Sequence, residues 1–234
     1  MPTVIRTARE RAREELTREI KQEARRQLAE EGAQRLSLRA VARELGMASS
    51  ALYRYFPSRD ELLTALIMDA YNALGDRAEQ AIATAPADDH RARWRALCHS
   101  VRAWAVAHPH EYALLYGTPV PGYAAPADTV APASRVSLAI VSVLRGAADR
   151  IQPAADARPL EGVFAAQVAA LVAEVAPDLT PVEVSRALVA WTQLFGMIGF
   201  ELFGHLAGTV EPADGFFAHT VDTMADFLGL PDGS

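Results

Sequence analysis

Apolar residues recur every three or four positions along almost the whole chain, with charged or polar residues between them. Leu16, Ile20, Ala24 and Leu28 show this spacing most clearly. The period places apolar side chains on one face of an α-helix, and no segment shows the strict alternation that is typical of a strand. The pattern therefore predicts an all-α chain.

Capping residues, glycines and prolines predict where the helices begin and end. Ser58-x-x-Glu61 and Thr180-x-x-Glu183 fit the capping box, in which a hydroxyl and a carboxylate bind the N–H groups of a helix start. Four prolines predict that the segment 117–132 is a loop. The first predicted helix ends near Gly32, and the others span residues 37–45, 49–56, 58–83, 89–107, 111–116, 133–150, 159–175, 180–206 and 214–228.

Composition excludes several classes of protein. Half of the 234 residues are apolar, which is enough for a core, and Cys98 as the single cysteine excludes a disulfide framework. Arginines stand near the N-terminus where a secretory signal needs an apolar stretch, and the longest apolar run, 187–200, is shorter than the roughly 20 residues that span a bilayer. We therefore expect a soluble, cytoplasmic protein with no membrane partner.

Charge is distributed unevenly between two parts of the chain. Residues 1–60 contain 13 Lys and Arg against 9 Asp and Glu, whereas residues 61–234 contain 10 against 20. A basic segment joined to an acidic one indicates that the basic segment alone meets a polyanion. We predict two domains, 1–60 and 61–234. A solvated, salt-bridged helix would also account for the basic segment.

The segment 37–56 predicts a helix-turn-helix, with Gly46 in the turn and the small Ala42 where the two helices approach. The second helix opens with short residues that let its backbone approach base edges. Tyr53 and Tyr55 offer hydroxyls and ring faces to phosphates and thymine methyls. Helix pairs of this kind also occur in proteins that do not bind DNA, and Tyr53 could equally belong to a core.

Residues 36–63, LSLRAVARELGMASSALYRYFPSRDELL, resemble the DNA-binding domain of TetR-family transcriptional regulators. The resemblance covers about residues 10–65 and fixes the cap, the turn and the second helix in register. Three positions depart from the family pattern. Tyr55 stands where His is usual, Ser50 where many members have Gly, and Arg59 where Lys is usual.

The resemblance implies roles for individual residues in the DNA-binding domain. Phosphate contacts are expected from Ser37, Tyr53, Tyr55 and Arg59. Base contacts are expected from Ser49, Ser50, Ala51 and Arg39. An N-terminal arm that reaches the backbone or the minor groove is expected from Arg6, Arg9, Arg11 and Arg13.

Two further segments are similar to the C-terminal domain type of this family that is named after a Trp-His-Gly signature. They are residues 108–117, HPHEYALLYG, and residues 191–196, WTQLFG. Phe195 replaces the signature His. The resemblance implies that residues 61–234 form a helical domain for ligand binding and dimerisation.

A homodimer is expected because one helix-turn-helix contacts too few base pairs for useful specificity. The last two helices carry the apolar stripes that would form its interface: Val184, Leu188, Trp191, Phe195, Ile198, Leu202, Phe217, Val221, Met224 and Leu228. The helix from Thr180 carries a second stripe, which consists of Val189, Gly196, Phe200 and Phe203. Full burial of the first stripe inside the monomer is the alternative.

Regulators of this kind hold a small effector inside the C-terminal domain. Aromatic and polar residues on its helices are the pocket candidates: Trp94, Trp104, Tyr112, Phe164, Gln167, Trp191, Gln193 and Met197. Plain core packing is the alternative for each. His99, His108 and His110 have no compact ligand spacing, so neither a metal nor a cofactor is expected.

The sequence thus predicts a DNA-binding regulator, a repressor that a small-molecule ligand releases from a palindromic operator. The chain contains no phosphate-binding glycine loop, no nucleophile elbow and no His-Glu-x-x-His motif, which argues against an enzyme. A module that binds only protein partners is the third hypothesis, and DNA affinity separates it from the first.

Overall fold

A computed structural model describes residues 7–152 and 158–232, and these residues form ten α-helices and no strand. The predicted all-α class is confirmed. In chain order the helices are α1 (Ala8–Glu31), α2 (Leu38–Glu44), α3 (Ser49–Leu52), α4 (Arg59–Thr84), α5 (His90–Ala107), α6 (Pro109–Tyr116), α7 (Val130–Ala147), α8 (Gly162–Val175), α9 (Pro181–Leu202) and α10 (Asp214–Leu228).

Most predicted helix starts coincide with the observed ones. At the start of α9 the Thr180 hydroxyl accepts from the Glu183 N–H at 3.3 Å, and the Glu183 carboxylate accepts from the Thr180 N–H at 2.6 Å. Several predicted bounds are wrong. Helix α8 begins at Gly162 rather than at residue 159, and α9 ends at Leu202 rather than at residue 206. Helix α3 is shorter than the predicted span, and α7 begins before Pro132, because a proline in the first turn of a helix forfeits no internal hydrogen bond.

The chain divides into two compact units whose bounds differ from the predicted boundary at residue 60. The first unit extends to Ala70 and adds His110–Val130, and the second contains Tyr71–Pro109 and the chain from Ala131 onward. The division falls within α4. Helix α4 therefore begins in the first unit and continues into the second.

The core of the first unit is formed by the apolar faces of α1 to α4. Ile20 of α1, Val41 of α2, Leu52 of α3 and Leu63 of α4 are completely buried. Helix α1 contacts α2, and α2 contacts α3. The two short helices are therefore held by flanking helices that bring their own apolar side chains.

Ion pairs join three helices of the first unit. Lys21 and Arg25 of α1 both contact the Asp69 carboxylate of α4 at 2.7 Å. Arg25 also donates to Glu111 of α6 at 2.8 Å. All four side chains are half-buried, so their attraction is less screened by water than that of a fully exposed pair. This cluster orients α1, which supports the helix-turn-helix.

Arg59 at the start of α4 binds the backbone between α1 and α2. Its guanidinium donates to the carbonyl oxygens of Ala33 at 2.8 Å and Leu36 at 3.2 Å. A weaker ion pair joins it to Asp60 at 3.4 Å. The segment that precedes α2 ends in an irregular turn, so its carbonyls need such a donor. Arg59 supplies that donor.

The core of the second unit brings together α5, α8, α9 and α10. Trp94 of α5 is fully buried, and its indole N–H donates to the carbonyl of Val221 in α10 at 2.9 Å. Arg102 of α5 forms ion pairs with Glu201 of α9 at 2.6 Å and with Asp214 of α10 at 2.9 Å. These contacts fix α10 against α5.

The stripe that was predicted to form the dimer interface lies mostly inside this unit. Leu188, Trp191 and Leu202 are half-buried, and the other members are buried: Val184, Phe195, Ile198, Phe217, Val221, Met224 and Leu228. The prediction is corrected because α10 has one apolar face, and that face is needed to cover α5 and α9. The second stripe of α9 points outward, and Val189 and Phe200 are 53% and 57% exposed.

The segment 127–150, which includes α7, is long and apolar enough by composition to cross a membrane. Two of its arginines form ion pairs within the second unit. Arg135 contacts Glu79 at 2.7 Å and Arg145 contacts Asp178 at 2.5 Å. One side of α7 is buried, including Val136, Ile140 and Val143. These contacts show that α7 packs on the core of the second unit.

His90 at the start of α5 is buried between charged neighbours. Its Nε2 atom is 2.7 Å from the Arg150 guanidinium, which donates to it, and Nδ1 has no partner among the described residues. Burial, followed by the positive charges of Arg150 and Arg93, lowers the pKa of His90 from its usual value, although Asp89 opposes the shift. His90 is therefore neutral in the folded protein at pH 7.

We expect Arg59→Met to lower the free energy of unfolding by about 1–3 kcal/mol, because two backbone carbonyls lose a charged donor. Urea denaturation would measure the change. Arg39→Met is the matched control, since Arg39 is exposed, and it should stay within about 0.5 kcal/mol. Unchanged stability of Arg59→Met combined with a loss of DNA affinity would instead assign Arg59 to a phosphate contact.

The free energy of unfolding should fall as the pH drops below about 6.5, because the unfolded chain binds a proton at His90 that the folded chain disfavours. The stabilisation is complete above the pKa of the unfolded state and is lost as the pH falls toward the lowered pKa of the folded state. His90→Asn should flatten this slope in denaturation curves between pH 5 and 7. The exposed His219→Asn control should keep it, and equal slopes for the two variants would contradict the prediction.

Candidate DNA interface

The turn between α2 and α3 is built by a short set of local interactions. The Ser37 hydroxyl caps α2 by accepting from the Ala40 N–H at 3.4 Å. Gly46 has a φ of 65°, which a residue with a side chain adopts only with strain. The Met47 N–H then donates to the Ala42 carbonyl at 2.8 Å. These interactions redirect the chain into α3, as the helix-turn-helix pattern predicts.

Helix α3 places its opening residues outward and its last residue in the core. Ser49 and Ser50 are exposed, Ala51 is half-buried and Leu52 is fully buried. The helical turn continues beyond Leu52 through single hydrogen bonds, such as Phe56 N–H to Leu52 carbonyl at 3.1 Å. The side chains predicted to contact bases therefore lie on one accessible edge.

The two tyrosines after α3 differ in exposure. Tyr53 is 41% exposed, which excludes the alternative that it belongs to the core. Tyr55 is half-buried, and the Arg13 guanidinium of α1 lies 5.5 Å from its ring centroid. This cation–π contact fixes the Tyr55 ring beside the start of α1. Both tyrosines belong to the same unit as Ser49 and Ser50.

Arginines around the helix-turn-helix differ from those along α1 in their pairing. Arg26 of α1 is bound by Glu23 and Glu30, whereas Arg39 of α2 is exposed and has no carboxylate partner within residues 7–152 and 158–232. Two further exposed arginines with no such partner in those ranges were not assigned from the sequence: Arg35 and Arg54. Only the tertiary structure distinguishes these free cations from paired ones, because all of them are arginines in similar local sequences.

Two predicted elements of the interface are placed differently. The arm is not a free strand, because Arg9, Arg11 and Arg13 lie in the first turns of α1, which Thr7 and Glu10 cap. Arg6 lies outside the described residues. The Arg59 guanidinium donates to backbone carbonyls, so the predicted phosphate contact would share it with these hydrogen bonds.

The predicted effector pocket is dispersed over the chain. Trp94 and Met197 are buried in the core of the second unit, and Tyr112 is buried in the first unit. Trp191 is half-buried, and the others lie at the surface: Phe164, Gln167 and Gln193. Trp104 lines a groove that lies between α4 and α5 and has a volume of about 520 Å³. Residue type alone does not separate pocket residues from core residues, because aromatic side chains fill cores as readily as pockets.

Two family models match the chain. Residues 20–66 match the bacterial regulatory proteins of the tetR family, and residues 94–224 match the tetracyclin repressor-like C-terminal domain. The first match covers the helix-turn-helix, and the second covers more than half of the chain.

Individual relatives agree with these matches. HTH-type transcriptional regulator Rv1816 of Mycobacterium tuberculosis (strain ATCC 25618 / H37Rv) is 52% identical over 126 residues, which are 53% of this chain and 54% of that protein. The alignment thus spans about half of this curated relative. Nucleoid occlusion factor SlmA of Mannheimia succiniciproducens is 37% identical over 54 residues, 23% of this chain and 25% of that protein.

Solved structures share the whole architecture. The crystal structure of SCO4313 is 36% identical with a TM-score of 0.77, and the match covers 94% of this chain and all of that one. The TetR-family regulator PfmR from Thermus thermophilus has a TM-score of 0.59 at 18% identity, with 88% and 96% of the two chains covered, and supports the fold alone. One family model matches the helix-turn-helix, a second matches more than half of the chain, and SCO4313 is similar over 94% of the chain. The chain therefore belongs to the TetR family of bacterial transcriptional regulators.

Proposed function

We propose that this regulator is a repressor that binds a two-fold symmetric operator as a homodimer and is released by a small-molecule effector. The observation that carries the proposal is the exposed edge of α3 beside unpaired arginines, in a unit where the arginines that join helices are neutralised. The family consists of DNA-binding regulators rather than enzymes, which removes the enzymatic hypothesis. Its members act on DNA in the cytoplasm, and we place this protein there.

In the proposed complex α3 enters the major groove. Ser49, Ser50 and Ala51 are short enough to let the backbone approach base edges, and the two serine hydroxyls both donate and accept. Tyr53, Tyr55 and the Ser37 cap contact phosphates. Arg39 is exposed on α2, and two further exposed arginines join it as additional phosphate partners: Arg35 and Arg54.

DNA affinity tests the tyrosine contacts. The double change Tyr53→Phe and Tyr55→Phe should weaken binding to the preferred site by about tenfold or more, because two hydroxyl–phosphate hydrogen bonds are lost. The preferred site would be selected from a random-sequence library and titrated in gel-shift experiments at two salt concentrations. Oligomeric state, measured by light scattering, should not change.

Tyr123→Phe provides the matched control for that experiment. The Tyr123 hydroxyl is 2.9 Å from the Thr64 hydroxyl and lies outside the helix-turn-helix, so DNA affinity should be retained. Unchanged affinity of the double variant would refute the proposed phosphate contacts. If the protein selects no sequence at all, the hypothesis of a module for protein partners replaces that of an operator-binding repressor.

Homodimerisation is supported by an apolar surface that the monomer leaves uncovered. Helix α8 has a single fully buried residue, Val168, and Val163 is 75% exposed. Phe164 of α8 and Phe200 of α9 are also exposed. Because α8 packs directly on α9, their outward apolar residues belong to neighbouring helices. Isolated proteins rarely expose apolar surface on two adjacent helices, so a second copy is the proposed cover.

Charge placed on this surface should separate the copies. We expect the double variant Phe164→Glu and Phe200→Glu to sediment as a monomer, because a dimer would bury two carboxylates per chain without partners. Val106→Glu is the matched control, since Val106 is 50% exposed and lies on α5 rather than on α8 or α9. A double variant that remains dimeric would place the interface elsewhere.

The two helix-turn-helix units of one dimer would bind two operator half-sites about 34–36 Å apart, which is one turn of the DNA duplex. An effector needs to change the equilibrium between binding-competent and incompetent forms by only about 1–3 kcal/mol to alter operator occupancy about 5–150-fold. Helix α4 supplies a continuous covalent path for such coupling, because it begins with Arg59 in the DNA-binding unit and ends with Thr84 in the other.

A further inference from the structure

The groove between the C-terminal half of α4 and α5 has the size of a small-molecule site. Its volume of about 520 Å³ lies within the range of ligand pockets, roughly 300–1,000 Å³. Arg77, Gln80 and Thr84 line one side, and Ser100, Trp104 and His108 line the other. All of these residues belong to the second unit.

Small residues create the space in this groove. Ala81 of α4 and Ala103 and Ala107 of α5 line it, where larger side chains would close the gap between the two helices. The Ser100 hydroxyl donates to the Arg77 carbonyl at 2.9 Å, which fixes the distance between the helices. Ala103 and Ala107 are exposed, so a ligand can reach the groove from solvent.

One wall of the groove is aromatic. The Trp104 and His108 rings are stacked with centroids 5.2 Å apart and an angle of 23° between their planes. The backbone carbonyl of Trp104 is 2.9 Å from the Nδ1 atom of His108, which fixes the imidazole ring. A rigid aromatic wall beside alanines favours a ligand with a flat apolar body.

The groove carries a positive charge, whereas the part of the chain that contains it is acidic. Residues 61–234 are strongly acidic, yet no acidic side chain is among the lining residues. Arg77 lines the groove and has no carboxylate partner among the described residues. Five other arginines of the second unit are neutralised by carboxylates: Arg91, Arg95, Arg102, Arg135 and Arg145. Arg150 instead donates to His90, and Arg186 lies over the Phe227 ring.

We propose that this groove binds a small carboxylate with a flat apolar body, in which Arg77 receives the carboxylate and the exposed His108 ring, stacked on the buried Trp104, packs against the body. Gln80 follows Arg77 by about one helical turn, Thr84 follows Gln80 by another, and both offer further polar contacts to the acid. The inference rests on the proposed function, since it gives the site and the chemical class of the effector.

Calorimetric titration of the full chain with naphthylacetate and with the neutral naphthylacetamide tests the proposal. We expect the acid to bind at least about tenfold more tightly than the amide, because only the acid forms a charge-assisted pair with Arg77. Equal affinities, or no binding of the acid at millimolar concentration, would overturn the assignment of a carboxylate ligand.

Two variants with matched controls locate the site. Arg77→Gln should remove the preference for the acid, whereas Arg145→Gln, outside the groove on α7, should retain it. Ala103→Leu should abolish binding by filling the groove, whereas Ala73→Leu, on an exposed part of α4 that does not line it, should not. Undiminished binding to Ala103→Leu would place the site elsewhere.

DNA binding, measured first without any probe, separates this inference from the proposed function. A chain that selects an operator but binds no naphthylacetate contradicts the groove proposal alone, and a chain that selects no operator contradicts the proposed function. Naphthylacetate should lower operator affinity in the unmodified chain and leave it unchanged in Ala103→Leu. Tight binding in the groove without any effect on operator affinity would overturn its role as the effector site.

Discussion

Helix α3 has four residues, which is far too few for a helix to persist by itself in water, because nucleation costs more than one turn of hydrogen bonds returns. Its position depends on Leu52, which is completely buried in the core of the first unit. Burial of this one side chain turns Ser49 and Ser50 outward. The proposed DNA contacts depend on this anchored turn. They include the exposed residues of α3, the tyrosines that follow them and the exposed arginines of the same unit.

The arginines of the first unit fall into two groups, one that holds helices together and one that lies at the proposed DNA interface. Arginines that hold helices together are paired, as Arg25 is with Asp69 and Glu111, and Arg59 is bound to backbone carbonyls. Arginines that lie at the proposed interface are exposed and unpaired within the described chain. A phosphate can replace water around such a free guanidinium without breaking an internal contact, so the cost of binding is low.

Helix α9 is apolar on two sides, and this property links the core of the second unit to its proposed assembly. Val184 and Ile198 complete the packing against α5 and α10, while Val189 and Phe200 are left outside. An exposed apolar face of this kind beside the nearly uncovered α8 is costly in water, and a second copy would remove it. The same association would hold two helix-turn-helix units at a fixed spacing, which a single chain cannot provide.

The sequence by itself determined the helical class, most helix starts and the register of the helix-turn-helix. These features are local: a capping hydroxyl such as Thr180, a left-handed Gly46 and the spacing of apolar residues act within a few positions of the chain. The candidate base-contacting residues were predictable for the same reason, since Ser49 and Ser50 precede the anchored Leu52 by fixed helical steps.

The tertiary structure decided which apolar stripe of α9 faces its own core, and that Arg59 binds carbonyls rather than lying free. It also decided that Trp104, but not Trp94, borders a groove. Each outcome depends on which residue from a distant part of the chain lies opposite the side chain in question. The sequence shows that a helix has two apolar sides or a charged residue near its end. Which residues those side chains contact is decided only when the whole unit packs.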